Sequence, residues 1–386
     1  MRHSTLFFIV MVLLVFCKHS SQPEIAKILE SQYEERRIAS GDNRPAINLS
    51  EDNLRDLLIL LHYRVTPDDI KAFFSWEDDD LRTRLDILLE NDFIHYHESG
   101  KYLPSCMVIS EKDGKELQRL AKTVSRPIAE IIASKTPEIK RHYETLGAFE
   151  GIPFQDASLL ILSNVVLDNW QIDNIEKTFI KAERTARHGK NYYFAIREKV
   201  GEGDLESFGI YGNSIRSFGN IRVGIYGNRR LGRNFITLTE KQLIELFGMP
   251  AEHPVNEFKA QLLEELVQLA EEPEFSVDTN HKDGFNHLGL MNGSRLGVPI
   301  VRKDDYFQLG AIAYRASEDI ISVLEAHKDR IQSSYQKSIY GEEITFEEYF
   351  IWWYHFLYTD VTNLLAADRG LIATPSSGVS TYLVKW

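Results

Sequence analysis

The residues best suited to bind an anion form one basic segment in the middle of the chain. Residues 207–239 contain five arginines and neither Asp nor Glu. The segment also carries two copies of Gly-Ile-Tyr-Gly-Asn, which start 15 residues apart. Guanidinium groups bind carboxylates and phosphates through paired N–H donors, and glycines allow a ligand to approach the backbone closely. We therefore predict that exposed tyrosines and arginines bind an anionic or carbohydrate-like ligand through the following residues: Tyr211, Tyr226, Arg216, Arg222, Arg229, Arg230 and Arg233.

The same segment also has a purely structural interpretation. The Asn of a Gly-Asn or Gly-x-Asn unit recurs every six to eight residues, which is typical of short strands joined by tight turns. In such a glycine-kinked antiparallel sheet, the tyrosines would pack internally. The arginines would then pair with the acidic segments Glu264-Glu265 and Glu271-Glu272.

The densest group of possible acid–base residues or metal ligands lies in residues 281–287, which contain His281, Asp283 and His287. Two histidines six residues apart do not share a helix face as in the His-Glu-x-x-His zinc motif. Asp283-Gly284 predicts a turn, so we expect a hydrogen-bonded loop with no bound metal. The alternative is a hydrolase in which the histidines act as bases and Asp283 orients them.

One further histidine, His355, lies on a long helix with an apolar stripe. Trp352, His355, Thr359 and Thr362 fall at i, i+3, i+7 and i+10, so they share the opposite face and could line a pocket. This makes His355 a fourth catalytic candidate, although a structural histidine is the favoured interpretation. The chain has no Gly-x-Gly-x-x-Gly segment between a strand and a helix and no Walker-type motif, so we expect no cofactor.

Composition sets wider limits on the protein. The 386 residues carry 44 Lys and Arg against 57 Asp and Glu, which gives a formal net charge of −13. A chain of this length forms two or three domains with a substantial core. Its net charge repels nucleic acids and anionic membranes, so an anionic partner must be bound by a local basic patch.

The N-terminus has the pattern of an export leader. Residues 6–16 form an apolar run of 11 residues, which is short for a membrane-spanning helix. The segment Leu14-Val15-Phe16-Cys17 resembles the lipobox of bacterial lipoproteins, although Phe16 stands where that family has a small residue. The resemblance implies lipidation of Cys17 and a membrane-anchored protein of the cell envelope. An ordinary signal peptide, with secretion, and an uncleaved anchor are the alternatives.

A module with helical periodicity follows. Three short apolar stripes between residues 51 and 90 predict three helices, and residues 93–97 and 102–109 predict a β-hairpin. This order resembles the winged helix-turn-helix modules of transcription regulators. In that family the third helix enters the DNA major groove. Here four acids, residues 77–80, open that helix, with Arg82 and Arg84 as the only nearby counterweight, so DNA is disfavoured as a partner.

These patterns together predict a helix-rich α+β protein. We expect a leader (1–17), a tether (18–50), a winged-helix-like domain (51–146) and a mixed α/β domain with a glycine-rich antiparallel hairpin (147–386), ending in an edge strand. The expected function is binding or interaction at the cell envelope, with the membrane and an anionic ligand, glycan or protein as partners. The alternatives are the hydrolase and a cytoplasmic DNA-binding regulator.

Overall fold

A computed structural model provides the fold. It describes residues 22–39, 43–199, 211–227, 234–272, 274–375 and 378–385. The leader, Cys17, Arg229, Arg230 and Arg233 lie outside the described residues. Within these ranges, no helix combines the length and apolarity needed to cross a bilayer.

The described helices and strands alternate along the chain. The helices are α1 (Gln22–Glu30), α2 (Leu54–His62), α3 (Pro67–Phe74), α4 (Asp78–Glu90), α5 (Glu111–Tyr143), α6 (Phe154–Ser158), α7 (Trp170–Ile175), α8 (Glu240–Phe247), α9 (Val255–Glu271), α10 (Thr279–His287), α11 (Lys303–Lys337), α12 (Tyr340–Glu343) and α13 (Phe346–Ala367). The strands are β1 (Tyr33–Ala39), β2 (Ile94–Tyr96), β3 (Tyr102–Pro104), β4 (Met107–Ile109), β5 (Ala186–Arg187), β6 (Lys190–Glu198), β7 (Asn213–Phe218), β8 (Ile221–Gly227), β9 (Met291–Asn292), β10 (Arg295–Leu296), β11 (Ile300–Val301) and β12 (Val379–Lys385). The predicted mixed, helix-rich α+β class is confirmed.

Two four-stranded sheets organise the molecule. In the first, the order is β1-β6-β4, with β5 also on β6; β1 and β5 are antiparallel to β6 and β4 is parallel to it. In the second, the order is β11-β12-β8-β7, and β12 is parallel to β11 and antiparallel to β8. The sequence predicts the C-terminal strand at the edge of a sheet. This prediction is wrong, because β12 lies between β11 and β8.

Alternation along β6 separates two hydrophobic cores. Tyr193 and Ala195 point into a core built from α5, α11 and α13, whereas Tyr192, Phe194 and Ile196 point into a core built from α2 to α4. A third core lies between the second sheet and helices α8 to α10. The strand β6 is therefore buried on both faces.

The predicted tether is part of the folded body wherever the structure describes it. Strand β1 pairs with β6 along its whole length, from Tyr33 opposite Glu198 to Ala39 opposite Tyr192. Ile25 on α1 and Leu49 are buried in the same core as α2. Because these residues supply backbone pairing and apolar packing, the tether prediction fails for 22–39. Its charged residues were misleading, since a strand with one buried face also carries charge.

The region 51–109 contains three helices followed by a short hairpin. Strands β2 and β3 pair antiparallel, but the predicted second strand, 102–109, is divided. Ser105 donates its N–H to the Phe93 carbonyl at 2.7 Å, and the chain then turns so that β4 joins β6. Buried Cys106 and Val108 pack in the core of α2 to α4. Strand β4 thus ties this region to the first sheet.

A buried ion pair fixes α13 against β6. Glu348, on the first turn of α13, accepts from Arg187 Nη2 at 2.7 and 2.9 Å and from the Phe194 N–H at 2.9 Å. The hydroxyl of Thr185 donates to the same carboxylate at 2.8 Å. Arg187 and Glu348 are 1% and 0% exposed, so neither charge can be solvated by water if its partner is removed.

We expect Glu348→Ala to lower the free energy of unfolding by about 3–5 kcal/mol, because it leaves the Arg187 charge buried without its carboxylate. The matched control is Glu347→Ala, a half-buried neighbour on the same turn, for which we expect a change of about 0.5 kcal/mol or less. Urea unfolding followed by circular dichroism measures both. Equal midpoints for the two variants would show that the pair does not stabilise the fold.

Candidate functional site

A cavity of about 970 Å³ lies where the two sheets meet the helices. Strands β1, β6, β7, β8, β11 and β12, helices α7, α11 and α13, and residues 160–169 all contribute side chains to its lining. A volume near 1,000 Å³ is at the upper end of the range of small-molecule sites. The cavity is therefore large enough for a ligand of several functional groups.

Five arginines line this cavity, and they come from four separate segments of the chain: Arg36, Arg37, Arg184, Arg197 and Arg222. Glu34 holds two of them, because it contacts Arg36 at 2.9 Å and also pairs with Arg197. Although burial acts to raise it, the pKa of the Glu34 carboxyl is lowered by Arg197 and Arg36. Arg184 is held by Glu176, at 2.7 Å. These ion pairs fix three of the five guanidinium groups at the cavity wall.

Another part of the cavity wall is an unusually wound helix. Residues 154–180 form one continuous helix in which Leu159–Asn169 and Glu176–Ile180 are π-helical and flank α7. π-Helical turns are rare and often occur at functional sites. Asn164 and Asp168, four residues apart, are buried within this apolar stretch and line the cavity. The helix therefore places an amide and a carboxylate where an apolar wall would otherwise stand.

Helix α13 contributes to the cavity wall two of the four residues predicted on its polar face. Trp352 and His355 line the cavity, together with Tyr358. The other two members of the predicted row do not reach it: Thr362 bonds Ser163 at 2.7 Å and Thr359 is fully buried. The helix turns away from the cavity after Tyr358, so the predicted row holds for its first half.

His355 is a neutral base at the cavity wall. Its Nδ1 donates to the Ile351 carbonyl at 2.7 Å, which leaves the lone pair on Nε2. Burial is the main reason that the pKa of His355 falls to about 4; the charges of Arg197 and Arg36 lower it further, and the bond to Ile351 opposes them. The imidazole can therefore accept a hydrogen bond from a ligand at neutral pH.

A glycine on β8 shapes the part of the cavity wall that the second sheet forms. Gly224 stands opposite Tyr382 in the β8–β12 pairing, and a methyl group at Gly224 would lie 2.0 Å from Cζ of that ring. Because this space is empty, the Tyr382 ring crosses the glycine and its hydroxyl donates to Asn213 Oδ1 at 2.9 Å. Tyr382 and Asn213 both line the cavity. The first Gly of the second pentapeptide copy therefore has a packing role.

Three buried polar atoms of residues that line the cavity lack partners among the described residues. They are Asn164 Oδ1, an acceptor, and two donors, Trp352 Nε1 and Arg36 Nε. Asn164 and Trp352 are only 1% and 2% exposed, so water has little access to their atoms in place of a ligand. A buried polar group without a hydrogen bond costs about 1–3 kcal/mol. Such groups are expected where a ligand completes the hydrogen bonding.

The predicted anion-binding residues divide between the cavity and the rest of the fold. Tyr211 and Arg222 line the cavity, whereas Arg216 lies over the Phe218 ring at 5.4 Å. The prediction that both tyrosines are exposed is wrong: Tyr211 is 6% exposed, and Tyr226 is fully buried and bonds Ser163 at 2.6 Å. The tyrosines fill the space between the second sheet and the helices, as the structural alternative supposed.

The structural interpretation of the basic segment pairs its arginines with Glu264-Glu265 and Glu271-Glu272. In the structure, Glu265 and Glu271 contact other residues. Glu271 pairs with Arg302 at 2.9 Å and with Lys385 at 3.2 Å. Glu265 contacts His281 Nδ1 at 2.9 Å. These contacts lie outside the cavity lining.

The group His281, Asp283 and His287 lies on α10, not in the predicted loop. The reason is Gly284, which packs so closely on α8 that a methyl group there would lie 2.6 Å from the Leu246 carbonyl. Asp283 and His287 are exposed. Asp283 and His287 are four residues apart and share one face of α10, whereas His281 lies on a different face and contacts Glu265, so the three side chains do not converge on one point.

Several cavity residues were missed in the sequence. Arg36 belongs to residues 18–50, which we assigned to the tether, and Asn164 and Asp168 lie among apolar residues in the segment Leu159–Asn169. A signal was present, since polar residues four apart in an apolar helix share one face. Arg197 and Tyr382 gave no local signal, because their role depends on strand pairing across the chain.

A smaller cavity, about 340 Å³, lies beside a buried charge cluster. His62 contacts Glu343 at 2.8 Å and Asp113 at 3.4 Å. Burial acts to lower the pKa of His62, but Glu343 and Asp113 raise it to about 9. The charges of this cluster satisfy one another and join α2, α5 and α12, so we assign it a structural role.

Comparison with known proteins leaves the site to be interpreted from its geometry. The chain matches no protein-family profile, no curated protein and no solved structure. In the part of the chain that the structure describes, no group of three or more His, Cys, Asp and Glu side chains could hold a metal ion.

We expect Gly224→Ala to destabilise the protein by about 1–3 kcal/mol, because the added methyl group must displace the Tyr382 ring. Gly147→Ala is the control, since a methyl group there meets nothing within 4 Å. The free energy of unfolding in urea measures both. Unchanged stability in the Gly224 variant would mean that Tyr382 does not cross this glycine.

Proposed function

We propose that the protein binds a small organic monoanion in the arginine-lined cavity. The observation that carries this proposal is the buried pair of unpartnered polar atoms, Asn164 Oδ1 and Trp352 Nε1, in a cavity that five arginines line. The sequence patterns also predict a binding function. The basic segment alone offers no concave surface for a ligand, and the cavity provides one.

The charge balance of the cavity favours a single negative charge on the ligand. Two lining carboxylates, Asp168 and Asp173, and two ion-pair partners, Glu34 and Glu176, offset four of the five guanidinium charges. One formal positive charge remains among the described residues. A monoanion matches this excess, whereas a diphosphate would bring a surplus of negative charge into a partly buried site.

The hydrolase alternative with His281, Asp283 and His287 draws no support from their arrangement, because His281 lies on a different face of α10 from the other two and contacts Glu265. His355 is the described histidine of the candidate set that lines the cavity. We propose that it contacts the ligand as a hydrogen-bond acceptor.

Export and anchoring through Cys17 remain proposals that rest on the leader sequence. We propose that the protein faces the outside of the cytoplasm at the cell envelope. A monoanion-binding protein tethered there would meet its ligand outside the cell membrane.

We propose that α2 to α4 with the hairpin β2–β3 form a winged-helix-like module with a structural or protein-contact role. The arginines on which DNA binding would depend have other contacts: Arg82 pairs with Asp79 at 3.1 Å, and Arg84 lies 4.2 Å over the Trp76 ring. These contacts support the view that DNA is not the partner.

The glycine-rich hairpin β7–β8 is proposed to belong to the ligand site.

The proposal can be tested with 8-anilinonaphthalene-1-sulfonate, an aromatic monoanion whose fluorescence rises in apolar sites. We expect saturable binding of one dye per chain. The triple variant E34Q/R36Q/R197Q removes two cations together with the carboxylate that pairs with both of them. We expect it to weaken dye binding at least tenfold, measured by fluorescence titration.

The matched control is E271Q/R302Q/K385Q, which removes a surface triad of the same charges outside the cavity lining. We expect it to bind the dye as the native chain does. Equal weakening in both triple variants, or in neither, would contradict the proposed site. Circular dichroism shows whether each variant is folded.

A further inference from the structure

We infer that the ligand is an acidic sugar, a hydroxylated ring with one carboxylate, of the hexuronate class. This inference rests on the proposed binding function and adds the chemical class of the ligand. Three features of the cavity carry it: a carboxylate-binding corner, unpartnered polar atoms suited to hydroxyl groups, and aromatic walls.

The carboxylate corner is formed by β1, β6 and α13. Arg36 and Arg197 meet there at Glu34, and both guanidinium groups lower the pKa of His355. Planar guanidinium groups bind a carboxylate through paired N–H donors. A ligand carboxylate here would face two donors fixed in place by a common partner, which reduces the entropy lost on binding.

The wall with the unpartnered polar atoms requires a ligand that offers both a donor and an acceptor. Asn164 Oδ1 needs a donor, and Trp352 Nε1 needs an acceptor. A sugar hydroxyl does both, whereas an ether, an alkyl group or a second carboxylate cannot. The Tyr382 hydroxyl, which interacts with Asn213 and Asn164, continues this wall into the second sheet. A polyhydroxylated ring therefore satisfies several polar groups at once.

Aromatic rings supply the remaining surface. Trp170 and Tyr306, with ring centroids 4.9 Å apart, line one part of the cavity, and Trp352 and Tyr358 line another. A pyranose ring has apolar C–H faces between its hydroxyl groups, so it can pack against such rings while its edges form hydrogen bonds. The volume of about 970 Å³ leaves room for more than one sugar unit.

Calorimetric titration of the full chain with four probes tests the inference: D-glucuronate, D-glucose, cyclohexanecarboxylate and glucose 6-phosphate. Glucose lacks the carboxylate, cyclohexanecarboxylate lacks the hydroxyl groups, and the phosphate carries a second negative charge. We expect glucuronate to bind at least tenfold more tightly than each of the other three. An equal or tighter affinity for any of them overturns the acidic-sugar class.

Two variants test the contacts. Asn164→Leu keeps a branched side chain and Trp352→Phe keeps an aromatic ring, and each removes one unpartnered polar atom, so we expect each to weaken glucuronate binding about tenfold. The matched controls are Asn174→Leu and Trp353→Phe, which remove buried unpartnered atoms outside the cavity lining. Equal losses in variants and controls would overturn the assignment.

The two proposals fail in different ways. If the naphthalenesulfonate dye binds the native chain and not E34Q/R36Q/R197Q, while glucuronate gives no heat and does not displace the dye, the acidic sugar is wrong and the monoanion site stands. If neither the dye nor any of the four probes binds, both proposals are wrong.

Discussion

The buried contact between Glu348 and Arg187 sets the register on which the candidate site depends. Glu348 also accepts the Phe194 N–H, so the first turn of α13 is fixed to β6 at a defined residue. Trp352 and His355 follow at i+4 and i+7 from Glu348 and lie on the same helix face. Arg197 follows Phe194 on the strand. One buried carboxylate therefore determines which part of α13 faces the arginines.

At the other walls of the cavity, a local departure from regular packing creates space for polar groups. Gly224 lets the Tyr382 ring cross a strand, and the π-helical winding of Leu159–Asn169 carries Asn164 and Asp168 into the cavity. The π-helical segment costs stability, because Asn164 Oδ1 remains buried without a partner among the described residues. Proteins retain such costs at sites where a ligand completes the interactions.

Sequence patterns predicted the local elements well and the site poorly, for one physical reason. An apolar stripe is a local signal, so the three helices predicted between residues 51 and 90 occur there as α2, α3 and α4. The cavity joins residues that are distant in the chain: Glu34 and Arg197 are 163 positions apart. Gly284 shows the opposite error, since a glycine that permits close helix packing resembles a turn signal. Trp352 and His355 were the part of the site that periodicity could place.

The most direct test of this account is the titration of His355 by NMR, with its ¹³Cε1 signal assigned through His355→Gln. The account predicts an imidazole that stays neutral down to about pH 4 in the free protein. Saturation with the naphthalenesulfonate dye places a negative charge beside Arg36 and Arg197, so the pKa of His355 should then rise. A pKa at the ordinary value near 6.5 that does not move with the dye would contradict the arginine-lined anion site.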